Sequence, residues 1–331
     1  MKNKINLCML AICFFAVVAC QREPQRDPAT FYYPAEWEAQ EATLMGWTER
    51  QPEFFPLVVD LARALEGTTS IIFVSDTSEN PMVFKEYLLE NGLDTVAYTF
   101  MSIPIWQAVA LRDVGPVYLI NGLGEKKVVD YRWSFQDFFE RFLIEKGVDP
   151  DTAKADASFF NRNQKTDSLI AARDGLEVIT SSLNIEGGTI EVNGKGTMLL
   201  NEYRMLKLNP TLTKMSIEQE LKRTLGVHHF IWVGKGLVED GYPTEFIVPG
   251  YVAVGTDGHT DEYIRFANPN TILLAWVDEE EKDLHPVHAE NYRRLQETYH
   301  ILVNAKDQDG KPFKIIKVPL PDLRYRPTIV A

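Results

Sequence analysis

Gly255-Thr256-Asp257-Gly258-His259-Thr260-Asp261-Glu262-Tyr263-Ile264-Arg265-Phe266 places two glycines, one imidazole, three acids and an arginine in twelve positions. Apolar runs that read as strands flank it: Phe246–Val248 and Tyr251–Val254 before, Thr271–Val277 after. A polar cluster between buried strands is where active sites sit on a rigid scaffold. In an extended segment side chains repeat every two residues, so His259 and Asp261 face one side. One imidazole and one carboxylate then share a cleft. The plainer alternative is a loop whose histidine is held by a neighbouring acid.

Outward from this stretch the same grammar recurs. Ala42–Trp47 reads as a strand, and Phe54–Leu65 as a helix with Leu57, Leu61 and Leu65 on one stripe. Ser70–Val74 is a strand, Pro81–Glu90 a helix opened by its proline, and Thr95–Phe100 a strand. Val117–Ile120 is a strand just after Arg112-Asp113-Val114-Gly115-Pro116, whose acid could equally be a turn residue. Helices are expected around Phe138–Lys146 and Ser168–Asp174. Asn193-Gly194 between two β-rich runs predicts a hairpin, directly after Glu186-Gly187-Gly188. Ser216-Ile217-Glu218-Gln219 fits a capping box for a helix ending at Gly226. His228–Val233 is a strand, Val287–Val303 a long helix and Phe313–Val318 a last strand. Strand, hairpin and helix recur about every 60 to 70 residues, which predicts mixed sheets covered by helices.

The first twenty residues stand apart. Lys2 and Lys4 precede the apolar run Ile5–Val18, which is short for a bilayer span. Val17-Val18-Ala19-Cys20 resembles a lipoprotein cleavage box, so residues 1–20 are expected to be a signal peptide with Cys20 lipidated. An ordinary cleaved signal is the alternative. Residues 21–30 read as a tether, and location is expected at the bacterial cell envelope, anchored on the membrane surface. The only other cysteines, Cys8 and Cys13, leave with the signal, which excludes a disulfide framework. Net charge is −13, a poor match to nucleic acid and a better one to a cationic ligand.

Asp113, Glu186, His259 and Asp261 support two chemistries. Paired carboxylates match a guanidinium, which is planar, cationic and carries five N–H donors, and His259 would then move a proton. Alternatively His259 and Asp261, with Asp257 or Asp240, would hold a divalent metal for hydrolysis. His285 and His288, at a helix start, and His228 and His229, at a strand start, look poorly placed to join them.

Pro34-Ala35-Glu36-Trp37-Glu38, Glu41-Ala42-Thr43, Leu111–Pro116, Glu186-Gly187-Gly188, Gly196–Leu200 and Gly258-His259-Thr260-Asp261 come in the order of one family. The chain resembles the agmatine deiminases and the related bacterial (Porphyromonas-type) peptidylarginine deiminases over nearly all of its mature length. The resemblance implies the pentein fold, an α/β propeller of repeated strand–strand–helix–strand units around a central site. It implies hydrolysis of a guanidino group to a ureido product and ammonia, on agmatine or on arginine in a peptide, with no cofactor and no resident metal. It also implies Asp113 and Asp261 as guanidinium clamps, His259 as acid and base, and Glu186 and Arg112 in the substrate pocket. Two departures stand out. Where the family has a tryptophan three residues before Asp113, this chain has Ala110, with Trp106 as the aromatic that could replace it. The family's nucleophilic cysteine lies beyond its His-x-Asp in a Gly-rich segment with no counterpart here. A deiminase domain over 31–331 with its last unit incomplete is therefore expected, and guanidinium binding without turnover is the competing function.

Overall fold

The computed structural model describes residues 26–105, 108–133, 135–241, 246–253 and 255–325. The expected signal peptide, Cys20 and Trp106 lie outside them. The first sheet is all parallel: β1 (Ala42–Gly46), β2 (Ser70–Asp76) and β3 (Thr99–Ile103), in that order. Its crossovers are α1 (Phe55–Leu65) and α2 (Pro81–Glu90). At the head of α2 the Asn80 side chain accepts from Met82 N at 3.1 Å, and Pro81 occupies the first turn, where its missing N–H costs nothing. β3 starts later than Thr95. The Asp94 carboxylate accepts from Val96 N at 3.0 Å and turns Thr95–Ala97 into a short 3-10 helix first.

α1 buries a different stripe from the one expected. Phe55, Val58, Val59 and Ala62 face inward, while Leu57 and Leu61 are 54% and 45% exposed. The inward face packs on Trp47, Phe73, Phe84 and Leu88, and Trp47 stacks on Phe84 with ring centroids 4.8 Å apart. Each fully buried Phe or Leu there contributes about 1.5–3 kcal/mol.

Three further units repeat one plan: an antiparallel hairpin, a helical crossover, and a third strand parallel to the middle one. After the short α3 (Leu111–Val114), the second unit is β4 (Val117–Ile120), β5 (Lys126–Arg132), α4 (Phe135–Glu145), α5 (Pro150–Ala157), α6 (Thr166–Arg173) and β6 (Glu177–Asn184). The third is β7 (Ile190–Val192), β8 (Thr197–Asn201), α7 (Glu202–Leu208), α8 (Lys214–Leu225) and β9 (His229–Val233). A small hairpin, β10 (Phe246–Val248) and β11 (Tyr251–Val252), follows. The fourth unit is β12 (Ile264–Asn268), β13 (Thr271–Trp276), α9 (Pro286–Asn304) and β14 (Lys314–Pro319). The first strands begin at Val117, Ile190 and Ile264, spacings of 73 and 74 residues. The period exceeds 60 to 70 because the second and third crossovers each hold more than one helix. Among the described residues no helix is long and apolar enough to cross a membrane.

Local signals explain the boundaries. Asn193 Oδ1 accepts from Lys195 N at 2.9 Å and Thr197 N at 3.0 Å, and Gly194 takes φ 69°, closing the β7–β8 hairpin as expected. α8 begins earlier than the capping box suggests: Thr213 Oγ1 accepts from Ser216 N at 3.2 Å, so Thr213 is the cap. One core cluster, with Leu119, Val129, Leu183, Ile190, Met198 and Leu221, joins the second and third sheets. A second, with Leu199, Ile231, Ile264, Leu274 and Leu295, joins the third and fourth. Each unit's entry loop is thereby brought beside the next.

Candidate active site

The entry loops carry the polar residues at matching offsets. Asp113 lies four residues before β4, Glu186 four before β7, and His259 and Asp261 five and three before β12. Packing the units side by side therefore gathers these four residues, as the sequence reading expected.

His259 is 4% exposed and stands at the centre. Its Nε2 lies 3.1 Å from Glu186 Oε2. On the other side of the ring, Nδ1 is 3.6 Å from Asp113 Oδ1 and 3.9 Å from Asp261 Oδ1. His259 and Asp261 are neighbours for a reason other than an extended strand: Thr260–Glu262 is a 3-10 turn, pinned by Thr260 Oγ1 donating to the Thr189 carbonyl at 2.7 Å. Asp113 is fixed by Gly188 N, which donates to its Oδ1 at 3.0 Å.

Gly187 and Gly188 are required by crowding. A Cβ on Gly188 would collide with the His259 ring and lie 2.9 Å from Asp261 Oδ1. One on Gly187 would run into the Arg112 carbonyl. Glu186-Gly187-Gly188 is thus the point where three loops touch.

The charges are unequal. Glu186 is buried, which alone would raise its pKa, yet the guanidinium of Arg204 and the His259 ring hold it below the usual range. Arg204 donates to it from Nε at 2.9 Å and from Nη2 at 2.7 Å. For His259 burial pushes downward, but the Glu186 hydrogen bond and the charges of Asp113, Glu186 and Asp261 outweigh it and lift the pKa to about 9. Asp113 is raised by burial first and then by the charges of Glu186 and Asp261. The ring is therefore a cation at neutral pH, with acids near both of its nitrogens.

Arg112 sits differently from a group awaiting substrate. Its guanidinium is already engaged by Glu36, by Asp261 Oδ2 at 3.3 Å and, at 4.0 Å, by Glu191 Oε2. Glu36 and Glu191 also hold Arg265. Ala110 ends a 3-10 turn that leads into α3.

The set of ligands considered for a metal does not converge. The Asp240 carboxylate faces backbone N–H groups of Thr256 to His259, which are donors and repel a cation. Asp257 pairs with Arg204 at 3.2 Å and Lys207 at 2.6 Å. His285 caps α9, its Nδ1 accepting from Val287 N. Among the described residues no group of three His, Cys, Asp or Glu is arranged to hold a metal ion.

Arg204 was not singled out by the sequence. Its signal was position: it shares a helical stripe with buried Leu208, four residues on, where a charge survives only if paired.

A family model described as Porphyromonas-type peptidyl-arginine deiminase matches residues 32–330. The chain belongs to that family. An agmatine deiminase of Pseudomonas fluorescens is 28% identical over 305 residues, covering 89% of this chain and 72% of its own length. That of Pseudomonas aeruginosa is 27% identical over 307 residues, with the same coverage. The structure of the Enterococcus faecalis agmatine deiminase superposes with a TM-score of 0.67 at 21% identity, covering 88% of this chain and 71% of that one. The fold implied by the resemblance is the fold of these proteins.

Proposed function

We propose that the site binds a guanidinium group between Asp113 and Asp261 and acts in its hydrolysis to a ureido group and ammonia. The observation that carries this reading is the pair of acids, Asp113 and Asp261, on one side of a histidine that they and Glu186 keep charged. A guanidinium offers planar N–H donors to two carboxylates at once, which fixes its carbon against attack. A His259 cation near the same carboxylates is already an acid, able to protonate the departing amine, and becomes a base for the attacking water of a second step. The described residues supply clamp and proton transfer; the attacking thiol that the family resemblance implies is not among them.

Agmatine deiminases among the relatives support agmatine as a substrate, and the family description supports peptidyl arginine. A lipid-anchored chain at the cell surface would meet peptides more readily than a cytosolic amine, which favours the peptide. Lipidation at Cys20 is tested by the mass of the mature N-terminal peptide from native cells; an unmodified N-terminus removes the anchor. For the function, calorimetric titration with agmatine and with an arginine peptide reports binding, and ammonia release reports turnover. Binding lost in Asp261→Asn is expected. A wild-type protein that takes up neither ligand overturns the assignment, while binding without ammonia leaves a clamp that does not turn over.

A further inference from the structure

His259 is carried by a buried loop that Thr260 ties down on its C-terminal side, through the Thr189 carbonyl. On the far side of Asp257 and Gly258 lies a cavity of about 180 Å³, lined also by Phe246, Ile247 and Arg294. Two of these loop residues have backbone angles that resist ordinary side chains: Asp257 has φ 67° and Gly258 φ 114°. On the side that borders this cavity, the backbone ahead of His259 needs its own constraint if the ring is to hold a 3.1 Å contact with Glu186.

Asp240 supplies that constraint. It is 4% exposed. Its Oδ1 accepts from Thr256 N, from Thr256 Oγ1 at 2.8 Å and from Asp257 N at 3.1 Å. Its Oδ2 accepts from Gly258 N at 2.7 Å and His259 N at 3.1 Å. Four successive N–H groups thus converge on one carboxylate. Two backbone bonds close the same neck: Asp257 N to the Asp240 carbonyl and Gly255 N to the Gly241 carbonyl, both 2.9 Å. The segment bearing Asp240 is itself tied to α9, where buried Asn291 Oδ1 accepts from Val238 N at 2.8 Å.

We infer that Asp240 is the positioning residue of this site: its carboxylate fixes residues 256–259 so that the His259 ring stays between Glu186 and the two clamp acids. It touches no reacting atom and acts through His259. The consequence for guanidinium affinity rests on the function proposed above; the placement of the ring does not. An amide in place of the carboxylate would turn an N–H₂ toward N–H donors and leave part of the array without an acceptor.

The test is Asp240→Asn, with the His259 imidazole followed by NMR across pH and agmatine binding followed by calorimetry. In the wild type the ring should titrate near pH 9, as Glu186, Asp113 and Asp261 surround it. In a folded Asp240→Asn the titration should drop toward the ordinary histidine value as the ring leaves Glu186, and agmatine should bind at least about 10-fold more weakly. A residue that merely supports the fold would lower melting temperature and leave the titration in place. Thr256→Val removes one of the five bonds and should shift both readouts the same way by less, and it decides the matter if Asp240→Asn does not fold. A folded Asp240→Asn, or failing that a Thr256→Val, with unchanged His259 titration overturns the inference. A wild type that ignores agmatine but loses its high titration in these variants overturns the function and keeps the positioning.

Discussion

Arg204 and His259 share the carboxylate of Glu186. Arg204 and Glu186 are both about 5% exposed, so removing the cation strands a buried anion. Arg204→Met should lower stability by about 3–5 kcal/mol in urea unfolding; a loss under 1 kcal/mol would mean that the pair is solvated. The histidine carries a pH signature of the opposite kind from a usual acid pair. Its folded pKa, about 9, lies above the unfolded value of 6.5. Its contribution is therefore complete below pH 6.5 and is lost as pH rises through 9, on the order of 3 kcal/mol in all. Glu191 and Glu262, both lifted to about 7, and Asp167, lifted to about 8, titrate in the same window. The clean measurement is the unfolding free energy of wild type minus that of His259→Gln at pH 6 and at pH 10. A constant difference would show that the ring is not charged in the fold. Of these residues, Asp113, Glu186, His259 and Asp261 were legible because short motifs mark them. Arg204 and the true role of Asp240 were not, since each is defined by partners brought up from another loop.

At the scale of elements, the sequence places helices and hairpins well where a local residue sets the boundary. α2 has its proline and Asn80, and the β7–β8 turn has Asn193-Gly194. It fails where distant packing chooses. Leu57 and Leu61 have the same four-residue spacing as Val58 and Ala62, and only the neighbouring sheet decides which pair turns inward. Leu57→Lys should accordingly change stability by less than about 0.5 kcal/mol, and Phe55→Ala should cost about 3–5. Equal costs in thermal unfolding would restore the leucine stripe. The caps of α8 make a second contrast. Thr213→Ala should cost about 1 kcal/mol, and Ser216→Ala only a few tenths, because the threonine oxygen is the one that receives a backbone N–H.

For the whole molecule, the repeat was visible as a rhythm of strands and helices, but its length and the all-parallel first sheet were not. Both depend on crossovers whose weak patterning hides how much helix they contain. The site belongs to no single unit: its four residues lie on the entry loops of three. Agmatine at 100 times its dissociation constant should therefore stabilise one cooperative transition by about 2.7 kcal/mol. Calorimetry that shows two transitions, only one of them moved by the ligand, would place the site within one unit.

The same placement has a consequence in time. Asp113 leaves the ribosome 146 residues before His259 (259 − 113), and at bacterial and eukaryotic rates of about 5–20 residues per second the gap is roughly 7–30 s. Through that interval the nascent chain carries an acid without its histidine and a glycine pair without the ring that crowds it. Recognition of a guanidinium at this site thus waits until His259 has emerged, after the residues of the first two sheets.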